Sequence, residues 1–132
     1  MKELIKNIED WAEKKEFIKH EHEYEETQYL KYLEKVGETA RAILNKDEVA
    51  IVNGFGDIAI NIIILAKQLN DKLSYDFKIT QKNLLFEDFM EEIHSYYVDS
   101  MALFYLNNVS ASHGYPLEIC LKSAWNKTKN HK

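Results

Sequence analysis

Ile58-Ala-Ile-Asn-Ile-Ile-Ile-Leu-Ala-Lys-Gln-Leu69 is the stretch on which the fold turns. Only Asn61, Lys67 and Gln68 interrupt its apolar character. Ile62 to Ile64 alone would also suit a buried strand, because β-branched side chains favour extended backbone. The length of the surrounding segment, 48–70, and its flanking Ala, Lys and Gln favour a helix. A helix that is apolar nearly all round requires protein on most of its sides. Residues 48–70 are therefore predicted to form the central helix of a bundle, or one buried in a dimer.

The segments on either side fit that frame. Residues 27–45 carry Tyr29, Leu30, Leu33, Val36, Ala40, Ile43 and Leu44 at three- and four-residue steps, which predicts a second helix. Asn45-Lys46-Asp47 marks a stop and a new start, with Asp47 placed to cap the central helix. Residues 2–19 predict a first helix with Leu4, Ile5, Ile8, Trp11 and Ala12 on one stripe, joined to the second by a polar connection, His20 to Glu26. Beyond the central helix, 71–83 reads as a polar connection and 84–107 as a helix. Asn107 to Pro116 reads as a loop, and 117–129 as a closing helix with Leu117, Cys120, Leu121, Ala124 and Trp125 inward. The product is an all-α bundle of four to five helices.

Composition agrees. With 132 residues, 45% of them hydrophobic, one Pro and four Gly, the chain fits a single helical domain with a real core, residues 1–132. A net charge of -5 argues against nucleic acid as a partner, because that role ordinarily needs a basic face. A single cysteine, Cys120, excludes an intrachain disulfide and suits a reducing, cytoplasmic location. Met1 to Trp11 is charged and amphipathic, unlike a signal peptide, and Ile58 to Ala66 is too short to span a bilayer.

Four segments carry a family resemblance. Gln28-Tyr-Leu-Lys-Tyr-Leu-Glu-Lys-Val-Gly-Glu-Thr-Ala-Arg-Ala-Ile43 resembles the second helix of the MazG-like nucleotide pyrophosphohydrolases, which typically reads Leu-Lys-x-x-Glu-Glu-x-Gly-Glu-x-x-x-Ala-Ile. Gly56-Asp57 and the Ile-rich run after it resemble the family's Glu-x-Gly-Asp helix. Ile5 to Glu13 resembles its opening helix. Leu117-Glu-Ile-Cys-Leu-x-x-Ala-Trp-Asn-Lys-x-Lys-Asn130 resembles its closing one. The likeness covers about 4–70 and 117–132, leaving 71–116 as an insertion that adds a helix before the last.

The resemblance implies hydrolysis of a (d)NTP to the monophosphate and pyrophosphate, in a homodimer or dimer of dimers. It also implies a Mg²⁺ site built from Glu-x-x-Glu on one helix and Glu-x-x-Asp on the next. Such spacing places carboxylates on one helical face, where two helices side by side offer the oxygen ligands Mg²⁺ prefers. In this chain the four positions fall on Lys35, Glu38, Gly54 and Asp57, so two of them are not acidic. An ammonium cannot ligate Mg²⁺ and repels it, yet it can meet a triphosphate as a point charge. Glu38 and Asp57 are the expected catalytic residues, and Glu34 joins them in a reduced metal set. Lys31, Lys35, Trp125, Asn126 and Lys129 are the expected nucleotide contacts, with Lys127 beside them.

Two functions stay open on these residues: a divergent pyrophosphohydrolase of phage or pool-cleaning type with weakened activity, or an inactive relative that binds a nucleotide or a protein. A helical interaction module without a small ligand is the third. Other groupings point to structure. His20-x-His22 with Glu21 and Glu23 reads as a solvated linker, and His94 with Glu91 and Asp99 as a helix face. Cys120 reads as core, and Tyr96, Tyr97, Phe104 and Tyr105 as packing rather than base stacking.

Overall fold

A computed structural model describes residues 1–15, 22–69, 73, 77–92 and 101–130, with backbone alone for 22–26 and 92. All regular structure among them is helical: α1 (Lys2–Lys14), α2 (His22–Leu44), α3 (Glu48–Gln68), α4 (Phe86–Glu92), α5 (Ala102–Ser112) and α6 (Leu117–Thr128). The all-α bundle expected from the sequence is the fold.

The axis of the bundle is α3. It packs against α1, α2, α5 and α6, and Phe55, Ile58, Ile62 and Ile63 along it are fully buried. Burying each such side chain contributes about 1.5–3 kcal/mol, so this helix is the main source of stability. By length and composition α3 could cross a membrane, but 72% of its most apolar window is covered by the other helices. Asp47 caps it as expected, its Oδ1 accepting from the Ala50 amide at 3.2 Å.

Two glycines set how closely the neighbours approach. A Cβ on Gly54 would run into Thr39 Oγ1 and stand 3.0 Å from Thr39 Cβ, on α2. A Cβ on Gly56 would collide with the Cys120 carbonyl oxygen and stand 2.6 Å from Ala124 Cβ, on α6. Gly54 therefore faces one partner helix and Gly56 the other. Both contacts are between buried residues, with Thr39 and Cys120 fully covered.

Three boundaries differ from expectation besides that of the first helix, which ends at Lys14 and not at 19. The second helix begins at His22, not at 27. The polar residues before Thr27 include neither Gly nor Pro, and Glu is a good helix former, so polarity alone does not end the helix. The single helix expected over 84–107 corresponds to α4 and α5, with 93–100 outside the described residues, as are 16–21 and 131–132. His20, Glu21, His94, Tyr96, Tyr97, Asp99 and His131 fall there, and the side chains of His22 and Glu23 are likewise outside the description.

The expected loop from Asn107 is the third. Helix α5 continues to Ser112, because its loop-prone side chains bond back to the helix: Asn108 Nδ2 donates to Phe104 O at 3.0 Å and Ser112 Oγ to Asn108 O at 2.9 Å. The turn itself is shorter and contains Gly114 at φ +91°.

The same side chains hold the non-helical stretch before α4. Asn108 Oδ1 accepts from the Thr80 and Gln81 amides at 2.8 and 2.9 Å. Ser112 Oγ accepts from Leu84 N at 3.0 Å and His113 Nε2 from Phe86 N at 3.1 Å. Asn107 Nδ2 donates to Phe77 O at 2.9 Å. The His113 ring also lies 5.8 Å from Phe55, which anchors the clamp to α3.

Two outcomes follow from these contacts. Gly56→Ala meets a backbone carbonyl that cannot rotate away, and overpacking should cost about 1–3 kcal/mol in urea unfolding despite the better helix propensity of Ala. Gly54→Ala meets a side chain, so adding Thr39→Ala should recover part of its loss. Equal, additive losses would contradict the assigned contact. The clamp predicts a pH effect. Burial lowers His113 below its ordinary 6.5, and Nε2 accepts a hydrogen bond only when unprotonated. The unfolded chain then binds the proton more readily, so this contribution is complete above 6.5 and is lost as pH falls through the lowered native value. His113→Ala should flatten the melting temperature against pH over that window, and an unchanged slope would rule the clamp out as its source.

Candidate functional site

One cleft of about 360 Å³ gathers most of the chemistry outside the core. Three faces of helical repeat build it. Helix α2 supplies Gln28, Lys31 and Lys35, α3 supplies Asp57, Ile60, Asn61 and Ile64, and α6 supplies Lys127 and Thr128, with Trp11 of α1 at the edge. Steps of three and four residues keep the α2 and α3 sets each on one side of its helix.

Lys35 pairs there with two acids. Its Nζ lies 3.3 Å from Glu38 Oε2 and 3.9 Å from Asp57 Oδ2. The Lys35 and Asp57 side chains are about one-third exposed, while Glu38 opens to solvent. Burial raises the Asp57 carboxyl above its ordinary 3.8, Lys35 opposes that rise, Glu38 adds to it, and Lys127 opposes it from α6. Two lysines from two helices thus act on one half-buried carboxylate.

The expected metal ligands do not converge. Glu34 is on the exposed side of α2, and among the described residues no three His, Cys, Asp or Glu side chains gather to hold a metal ion. The Lys35 ammonium stands between the two acids that would have been shared by the cation. Position 54 faces Thr39 and has no room for a carboxylate, and Asn53 accepts from Ser123 Oγ at 3.1 Å, tying α3 to α6. Glu38 and Asp57, the two carboxylates that would hold Mg²⁺, face the Lys35 ammonium instead, whose charge opposes a divalent cation there.

The expected nucleotide contacts divide. Lys31 and Lys35 line the cleft with Lys127. Trp125 packs edge-on against Trp11, ring centroids 5.6 Å apart at 82°, and so braces the cleft's aromatic edge from behind. Asn126 and Lys129 are exposed and outside the lining, and Asn126 O accepts from Asn130 Nδ2 at 3.0 Å.

Gln28 and Asn61 are cleft residues that sequence reasoning passed over. Both are nearly fully buried, Gln28 Nε2 donates to Asn61 Oδ1, and Asn61 Nδ2 donates to Asp57 O at 2.8 Å. Their signal was available: Asn61 is the lone polar residue between Ile58 and Ala66, and a buried amide in such a run requires a partner.

No family model matches this chain, and no solved structure matches it. Among curated proteins, it is similar to the "Uncharacterized 18.2 kDa protein in rep-hol intergenic region" of Haemophilus phage HP1, 34% identical over 68 residues. The match takes in 52% of this chain and 40% of that protein's length.

The geometry predicts how Asp57 titrates. Lys35→Met removes the leading opposing charge, so the Asp57 carboxyl should rise further, read by carbon-13 NMR of its side chain. With the native value raised above 3.8, the folded state holds the proton more tightly and stability falls as pH rises through that window. Lys35→Met should widen the window upward. An Asp57 titration that moves down or stays fixed would sever the assigned pairing.

Proposed function

We propose that this protein is a divergent MazG-like chain that binds a phosphorylated nucleotide in the Lys31–Lys35–Lys127 cleft, with pyrophosphohydrolase activity weak or lost. The observation that carries this reading is a cleft lined by three ammonium groups against one carboxylate, in a chain whose net charge is -5. Lysines in that number suit phosphate oxygens. The Trp11 edge offers a flat partner for a base, and the volume lies in the range of small-ligand sites, about 300–1,000 Å³.

Glu38 and Asp57 beside Lys35 remain the groups for any residual hydrolysis, as base or orienting acid for water. The likeness to a phage protein supports a phage-type setting. A lone, buried cysteine supports a cytoplasmic one. Leu30, Leu33 and Leu44, exposed along α2, support a homodimer, and they also favour the second reading, a helical module whose partner is a protein.

Purified protein titrated with a panel of NTPs and dNTPs in a calorimeter, alongside a pyrophosphate-release assay with Mg²⁺ or Mn²⁺, separates these. Nucleotide binding should weaken about tenfold or more in Lys31→Glu and in Lys127→Glu. Pyrophosphate release should be absent, or residual and abolished by Glu38→Ala. Vigorous Mg²⁺-dependent release would replace this reading with the enzyme, and absence of any nucleotide binding would replace it with the protein-binding module.

A further inference from the structure

We propose that the cleft takes its polyphosphate ligand free of divalent metal, so that Mg²⁺ competes with the protein for the ligand instead of bridging the two. The cation of this site is covalent: it is the Lys35 ammonium. The inference rests on the nucleotide reading only for the phosphate end of the ligand.

A metal-bridged ligand needs protein carboxylates to complete the coordination sphere of Mg²⁺. The two at hand already face Lys35, at 3.3 Å from Glu38 and 3.9 Å from Asp57. Among the described residues no third acid joins them. A divalent ion placed at Asp57 would lie against Lys35, with Lys31 and Lys127 lining the same cleft. Substitution cannot readily supply another ligand at position 54, because Thr39 occupies the space in front of Gly54.

For the free polyphosphate the lysines turn from repulsive to attractive, and Lys35 offsets the two carboxylates beside it. The ligand's oxygens meet three ammonium groups, and its full negative charge is available to them. Chelation by Mg²⁺ cancels part of that charge before the ligand arrives. Lys35 itself cannot diffuse away, unlike a metal, and its partners Glu38 and Asp57 hold it at the mouth between α2 and α3. The carboxylates that served as metal ligands in the resembled family become, in this chain, the groups that orient a lysine.

Calorimetry with inorganic tripolyphosphate and with ATP, each in EDTA and in excess MgCl₂ at matched ionic strength, tests this. Both ligands should bind in EDTA, and affinity should fall about tenfold or more with MgCl₂. Lys35→Gln should weaken binding in EDTA by a similar factor, while Lys35→Arg, which keeps the charge, should retain most of it; circular dichroism melts establish that each variant is folded. Binding that requires MgCl₂, or that improves in Lys35→Gln, overturns the inference. ATP bound only with MgCl₂ overturns it while leaving the nucleotide reading in place. Tripolyphosphate bound in EDTA with no gain from the nucleoside upholds it and removes the nucleotide reading. Absence of binding to either ligand overturns both.

Discussion

A helix covered on nearly every side must let its neighbours come close, and in this protein two glycines decide how close. Gly54 admits Thr39 of α2, and Gly56 admits the backbone of α6 at Cys120. Between these two contacts α3 is held on opposite flanks, with the fully buried Phe55 between them in sequence. The rest of the bundle takes its spacing from this sandwich. Ordinary Ala or Leu at either position would push a helix outward and open voids along the fully buried Ile58, Ile62 and Ile63.

The site inherits the same spacing. Lys35 is one helical turn from Thr39, and Asp57 is nearly one turn from Gly54, so the close approach of α2 and α3 sets their side chains opposite each other. Thr39 Oγ1 donates to Lys35 O at 2.7 Å, which keeps the hydroxyl turned along its own helix where the glycine leaves room. A cation at 35 and a glycine at 54 are thus two results of one packing arrangement. The lysine satisfies two acids that would otherwise repel each other, and the glycine makes room for Thr39.

Much of this was legible in the sequence, and unevenly so. The helical periodicities of α1, α2, α3 and α6, and the Asp47 cap, lie in local spacing, which survives translation into structure because propensity and burial agree there. The extent of α5 was not legible. Asn107, Asn108, Ser110 and Ser112 look like loop residues one by one; Asn108, Ser110 and Ser112 bond back to helix carbonyls, and Asn107, Asn108 and Ser112 also hold a neighbouring stretch of backbone. In the site, the pairing of Lys35 with Glu38 could be read from their three-residue spacing on one helix, whereas the approach of Asp57 from α3 could not. The packing role of Gly54 could not, since it depends on which residue of another helix stands in front of it. Asn61 announced itself as a polar residue in an apolar run, but its partner Gln28, 33 residues away, could not be read.

The clamp on residues 77–86 has an asymmetry with an evolutionary consequence. The stretch contributes main-chain amides and a carbonyl, while Asn107, Asn108, Ser112 and His113 contribute the side chains that bind them. Any residue except proline offers the same amide. Mutation can therefore rewrite the exposed Thr80 and Gln81 with little structural penalty, while the polar face of α5 stays fixed. Across relatives of this protein, the exposed positions of the clamped segment should drift in sequence while the helix beneath it carries the record of its shape.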